Sequence, residues 1–279
     1  MPTMSLGVLL SIGEDFAGRL QRIKAAGFTT VQLVGPTGEA LLEPKRSETK
    51  KIIDDSGLRV SSVAAIYEGE NYADVSAVRN TVGLLPEKTR EGRIADTKRC
   101  ADFANEVGSL NISSHIGYIP DDRADPTYGA LVSAAQEICD YLQRRTMCFC
   151  LETGQESACI LKQFIGDVDR ENLKVNFDPA NMIMYGTEDP VDALDMLAPW
   201  IRGVHCKDGV WPESEGRLGE ERPLGGGDVH IERFVAKLKQ IGYDGPLTIE
   251  REIAGEQQME AFFAAKKLLE EIKAKLGIE

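Results

Sequence analysis

The sequence predicts a closed parallel (β/α)8 barrel. Eight short runs rich in β-branched and apolar residues recur along the chain, separated mostly by longer amphipathic stretches. Four of these runs, the fifth to the eighth, end at or beside a residue able to ligate a metal. At 279 residues and 42% hydrophobic, the chain can bury one large core. No low-complexity linker or composition break divides it, so one barrel domain over residues 1–279 is expected.

The first run is SLGVLLSI, from Ser5. It leads into FAGRLQRIKAAG, apolar at three- and four-residue spacing from Phe16, with Gly27 placed as a stop. TTVQLV from Thr29 and RVSSVAAI from Arg59 supply the second and third strands. A helical pattern, TKRCADFANEV over Thr97–Val107, precedes the fourth, LNISSHIG from Leu110. MCFCLET from Met147, LKVNFD from Leu173 and IRGVHCK from Ile201 follow. IERFVAKLKQIG from Ile231 leads into the eighth, PLTIERE from Pro246, and a last helix covers Gln257 to Leu276. The polar stretches Glu68–Lys88 and Asp208–Asp228 read as long loops after the third and seventh strands. In a parallel barrel such loops build the active-site face. An open doubly wound sheet is the alternative, but the first turn, SIGEDFAG, lacks GxGxxG.

A net charge of −13 argues against nucleic acid and anionic membrane surfaces as partners. A small neutral or metal-chelating substrate suits it better. The start, MPTMSLGVLLSIGEDF, shows no basic n-region, and no apolar run is long enough to span a bilayer. Cys100, Cys139, Cys148, Cys150, Cys159 and Cys206 show no CxxC spacing. They read as buried thiols in a reducing cytoplasm, with Cys148 and Cys150 on one side of a strand as core packing.

The candidate ligands are Glu152 in CFCLETG, Asp178 in VNFDPANM, His205 in GVHCKD and Glu250 in LTIERE. Carboxylates and imidazoles beside buried strands are costly unless compensated, and three anionic groups call for a cation. Strands five to eight are neighbours in a barrel, so their C-terminal ends meet at one rim. Singly, Glu152 reads as a rim salt bridge, Asp178 before Pro179 as a helix cap and His205 as a core residue. Together they form an oxygen-rich set suited to one Mn²⁺, Mg²⁺ or Co²⁺, with Zn²⁺ also acceptable. Three carboxylates around one divalent ion leave the site one charge negative, which does not favour a substrate phosphate beside it.

Secondary candidates for substrate contact are His115 at the end of the fourth strand, Lys207 two residues after His205, Arg222 and Trp211. Glu156 reads as an N-terminal carboxylate of the helix after the fifth strand. Gly225, Gly226 and Gly227 read as a tight turn rather than a phosphate cradle. His230 reads as a surface residue and Trp200 as core.

The pattern LETG…NFDPANM…VHCKD…PLGGGDV…GYDGPLTIERE resembles the xylose isomerase-like TIM-barrel superfamily. Within it, the chain looks most like the sugar phosphate isomerases/epimerases, with keto-sugar 3-epimerases and inosose isomerase among them. The resemblance implies that Glu152, Asp178, His205 and Glu250 bind one divalent metal, and that Glu152 and Glu250 form the catalytic acid/base pair. In those members a substrate-binding His is common three positions after the Asp. Here it is Asn181, which keeps a hydrogen bond to a sugar oxygen but cannot change charge. The implied activity is isomerisation or epimerisation of a keto-sugar or inosose through an enediolate. Metal-assisted elimination from 3-keto-glycosides is the alternative, and a non-catalytic metal-supported sugar-binding protein is the reading from another class. An endonuclease IV-like nuclease would need many more than three histidines. The resemblance also implies a homodimer or homotetramer.

Overall fold

A computed structural model describes residues 3–214 and 216–278. The strands are β1 (Leu6–Ser11), β2 (Thr30–Val34), β3 (Arg59–Ala64), β4 (Asn111–Ser114), β5 (Cys148–Glu152), β6 (Leu173–Phe177), β7 (Ile201–Cys206), β8 (Asp208–Gly209), β9 (Glu221–Arg222) and β10 (Leu247–Ile249). Eight of them close into one barrel, in the order β1-β10-β7-β6-β5-β4-β3-β2, and every barrel pair is parallel. All eight predicted runs are therefore barrel strands, and their C-terminal ends share one rim.

The two polar stretches carry more structure than the loops expected of them. Val75–Thr81 is a short helix, started by Asp74, whose side chain accepts from the Ala77 amide. The next helix begins at Glu87 rather than near Thr97, running to Glu106. Its first turns are charged and polar, so hydropathy alone understated its length. In the other stretch, β8 and β9 pair antiparallel as a two-stranded ribbon, too short to leave a periodic signal.

Alternation along the strands divides the molecule into two regions. Outward side chains such as Val8, Leu33, Phe149, Val175 and Phe177 are fully buried beneath helices that supply Phe103, Ile138, Phe234 and Phe262. Each such side chain contributes about 1.5–3 kcal/mol through removal from water. Inward positions are small or polar instead: Gln32, Ser62, Ser113, Cys150, Asn176, His205 and Thr248 are all buried. Barrel interiors are more often filled by Val, Ile and Leu. Here a polar cavity of about 230 Å³ opens at the N-terminal mouth, lined among others by Gln32, Ser62, Cys150 and Asn176. Cys150 thus borders this cavity rather than the apolar layer, and Cys159 is an exposed thiol. Among the described residues, no helix is long and apolar enough to cross a membrane.

Candidate metal centre

Glu152 is the last residue of β5, Asp178 follows β6, His205 lies in β7 and Glu250 follows β10. One donor atom from each lies within 4.8 Å of all the others. His205 Nδ1 is 2.6 Å from Glu250 Oε2, 3.3 Å from Asp178 Oδ2 and 3.5 Å from Glu152 Oε1. The imidazole and the Asp178 carboxylate are essentially inaccessible to solvent. Glu250 Oε2 meets only His205 Nδ1, in poor hydrogen-bond geometry, so once the imidazole gives up its Nδ1 proton this anionic oxygen is left for a cation to satisfy. One imidazole and three carboxylates around an orphaned oxygen fit a single divalent cation.

The chain braces these ligands locally. Thr153 Oγ1 donates to the Asp178 carbonyl at 2.9 Å and accepts from the Asp178 amide at 2.8 Å, tying the end of β5 to the end of β6. Asp178 Oδ1 accepts from the Asn181 amide at 2.9 Å and caps the helix Pro179–Tyr185, while Oδ2 faces His205. The capping role expected of Asp178 and its place in the cluster are therefore compatible.

Lys207 changes the electrostatics expected from the ligands alone. Its fully buried ammonium lies 3.4 Å from Glu250 Oε1 and 3.9 Å from Asp178 Oδ2, donates to Asn181 Oδ1 at 3.3 Å and pairs with Glu252. The lysine thus supplies a second positive charge beside the ligand carboxylates, shared with Glu252 at the rim. Burial acts to raise the carboxyl of Glu152, but His115 and His205 outweigh it and hold it below its ordinary range. Burial likewise opposes ionisation of Asp178 and Glu250, and Lys207 with His205 overcomes it. Burial would lower His205, yet Glu250, Glu152 and Asp178 drive it well above the usual imidazole value. Burial would also lower Lys207, and Glu250, Asp178 and Glu252 raise it strongly.

A cavity of about 590 Å³ opens over the cluster, and Glu152 and Glu250 both line it. His115 and Asn181 line it too. His115 Nε2 is 3.5 Å from Glu152 Oε1, and its Nδ1 is 3.1 Å from Gln155 Nε2. The imidazole thus bridges Gln155 and Glu152, one ring nitrogen toward each. Asn181 Nδ2 donates to Glu152 Oε1 at 3.3 Å, so its amide links Glu152 to Lys207.

Two expected substrate contacts lie elsewhere. Arg222 does not line this cavity; its guanidinium pairs with Glu220 at 2.7 Å, because alternation in β9 turns Glu221 toward the cavity and Arg222 away from it. Trp211 is also absent from the lining and is 40% exposed on the loop after β8. The aromatic wall is made by Tyr72 and Tyr185, with the Tyr72 ring 5.9 Å from that of His115. Neither tyrosine stood out in the sequence, because one lies in the polar stretch after β3 and the other at the end of a short helix. Gln32, Gln155, Asn176, Arg217 and Glu252 were likewise unmarked; Gln32 and Asn176 carry only the signal of polar residues at inward strand positions.

Glu156 is not the cap of the following helix. Ser157 accepts from the Ile160 amide and Glu188 from the Ala158 amide, while both Glu156 oxygens are buried without a hydrogen bond to another residue. Burial pushes this carboxyl up to about 8. The glycine turn is accounted for from within. Asp208 accepts from the amides of Gly209, Gly225, Gly227 and Val229, at 2.9 to 3.2 Å. The chain's own carboxylate thus occupies the amide nest where a phosphate would sit. His230 is exposed, as expected, and Trp200 is partly buried against the core.

A family profile described as xylose isomerase-like TIM barrel matches residues 20–274. The chain belongs to that family. It is 38% identical to a xylose isomerase domain protein from Planctomyces limnophilus, with a TM-score of 0.93 over 99% of each chain. It is 24% identical to a 3-dehydroshikimate dehydratase of Bacillus anthracis over 65% of this chain, and it spans 62% of that protein's length. D-psicose 3-epimerase from Clostridium cellulolyticum H10 shares the fold, with a TM-score of 0.69 and 15% identity over 96% of this chain and 99% of that one. A D-psicose 3-epimerase and a probable 3-DHS dehydratase from Bacillus anthracis also share the fold, at 17% and 20% identity.

Proposed function

We propose that the protein is a divalent-metal-dependent enzyme that moves a proton at a carbon beside a carbonyl, with a keto-sugar or cyclitol-derived ketone as substrate. The observation that carries this reading is the pair Glu152 and Glu250, which belong to one four-donor cluster and also line the same cavity. A bound divalent cation would polarise the substrate carbonyl and stabilise the negative charge that develops on its oxygen.

The chain's own groups supply the rest. One glutamate removes the proton from the carbon, and the other returns a proton, either to the opposite face or to the neighbouring carbon; in the second course the hydroxyl proton of the deprotonated carbon also passes to the former carbonyl oxygen. Both carboxyls lie low and are bases in the resting site, so the glutamate that returns a proton first takes one up from solvent, and the one that removed a proton gives it back to solvent before the next turnover. His115, through its Nε2, and Asn181, through its amide, are placed to hold substrate oxygens beside Glu152. Lys207 holds Glu250 from behind and tempers the negative charge of the site. Tyr72 and Tyr185 shield the chemistry from bulk water.

Elimination is a second reading. It begins with the same proton abstraction and ends with loss of a group from the next carbon, with His115 as the proton donor to that group. The similarity to a 3-dehydroshikimate dehydratase favours keeping it. The deciding experiment incubates the manganese-loaded protein with keto-sugars, inososes and 3-keto-glycosides in heavy water. Deuterium at one carbon with the skeleton retained supports isomerase or epimerase chemistry, whereas release of water or an aglycone supports elimination. No exchange with any ligand that binds would refute both and leave a sugar-binding protein.

A further inference from the structure

The side of His205 that faces away from the cluster is also structured. Two carboxamides flank Nε2: Gln32 Oε1 at 3.2 Å and Asn176 Nδ2 at 3.0 Å. They make opposite demands. The Gln32 oxygen is an acceptor and requires a proton on Nε2, whereas the Asn176 NH2 is a donor and would have Nε2 bare. A neutral imidazole carries one ring proton. If it sits on Nε2, the Nδ1 lone pair points at the three carboxylates; if it sits on Nδ1, that lone pair is lost to the cluster.

Each amide is held by a second contact. Gln32 Nε2 donates to Ser113 Oγ at 3.2 Å, which leaves Oε1 as the end presented to His205. Ser113 in turn lies 3.5 Å from Ser62 Oγ, and Gln32 and Ser62 both line the polar cavity at the N-terminal mouth. Asn176 Nδ2 is shared with Glu152 Oε2 at 3.4 Å, and its Oδ1 lies where a Cβ on Gly203 would come within 2.3 Å. Asn176 therefore fits only beside a glycine, and with a proton on His205 Nε2 its amide donates to Glu152 alone. Gln32 comes from β2, across the barrel from the ligand strands, and is 2% exposed. A carboxamide at such a depth in a barrel core needs hydrogen-bond partners at both ends to be tolerated, and this one has Ser113 for its nitrogen and His205 for its oxygen.

We propose that Gln32 is a positioning residue for the metal site. Its side-chain oxygen fixes His205 as the Nε2–H tautomer and so presents Nδ1 to a cation. The inference rests on the metal reading above. It gives the polar barrel interior a purpose: Ser62, Ser113 and Gln32 form a chain that orients a ligand from behind, where an apolar filling could not. Outer partners of metal-bound histidines change metal affinity by about 10–100-fold when removed.

The test compares wild type, Gln32→Met and Gln32→Glu, with manganese affinity measured by calorimetry and apoprotein melting measured alongside. Met keeps the length of the side chain without an acceptor, and Glu restores one. Met should weaken manganese binding about 10–100-fold, and Glu should retain or recover it. In the zinc-loaded wild type, the His205 nitrogen resonances should report a protonated Nε2, and Met should broaden or shift that signal. Equal manganese affinity for Met and wild type, or a resonance pattern with the proton on Nδ1, would overturn the proposal while leaving the metal reading intact. Loss of affinity in both variants, in step with lowered melting, would mark Gln32 as packing only. A wild type that takes up no metal at all would remove the metal reading and this inference with it.

Discussion

Lys207 Nζ sits 3.4 Å from Glu250 Oε1, with the lysine fully buried and the glutamate exposed only toward the cavity. The ammonium also touches Asn181 and Glu252, so one cation is shared among the cavity wall, the cluster and the rim. Removing one partner of a buried pair leaves an uncompensated charge. Lys207→Met is expected to lower the stability of the metal-free protein by about 3–5 kcal/mol, read from denaturant unfolding. The same change removes a positive charge beside a cation site, so manganese affinity should rise. Weaker manganese binding in Lys207→Met would contradict the electrostatic role given to this residue.

Protons and metal compete for His205. Its basicity is raised far above normal by three carboxylates, and a cation at Nδ1 must displace that proton. Metal affinity should therefore increase with pH by about tenfold per unit for as long as His205 remains protonated in the metal-free protein. Calorimetry in buffers of different ionisation enthalpy should find about one proton released per metal bound near neutral pH. A flat affinity over two pH units around neutrality would contradict it.

Glu156 makes the opposite kind of linkage. Its carboxyl stands at about 8 when folded, against an ordinary value near 4.5 when unfolded, so the folded chain holds this proton more tightly. The contribution to stability is fully present below the unfolded value, declines between about 4.5 and 8, and is lost once pH has risen through 8. Glu156→Gln should remove this decline, raising stability at pH 9 by on the order of 4 kcal/mol relative to wild type while changing little at pH 4. Melting curves of both proteins across that range decide the matter, and parallel curves would refute it.

Glu152→Gln and Glu250→Gln should each abolish deuterium exchange, a loss of at least about 100-fold, although both keep the shape of the side chain. A metal-loaded variant that still exchanges would exclude that residue as acid or base.

Tyr72 lines the cavity, and Trp211 does not. Tyr72→Ala should raise the KM for a cyclic substrate by about tenfold, through loss of aromatic contact worth roughly 1–1.5 kcal/mol. Trp211→Ala should leave KM within about twofold, since a surface substitution away from the cavity has small effects. A larger effect at Trp211 than at Tyr72 would mean the substrate sits farther out than the cavity indicates.

Much of this was legible along the chain. Eight β-branched runs with helical spacing between them admit few closed arrangements, and four ligand types at consecutive strand ends must meet once those strands are parallel neighbours. Local rules set these features, so Glu152, Asp178, His205 and Glu250 could be named before any contact was known. Only the tertiary structure showed that Lys207 is buried against Glu250, that Arg222 faces Glu220 and that Tyr72 rather than Trp211 borders the cavity. It alone brought Gln32 across the barrel to His205. Periodicity fixes which side of a strand a residue occupies. The partner it meets depends on barrel closure and on the paths of the long loops, and contacts over such separations leave no mark in local spacing.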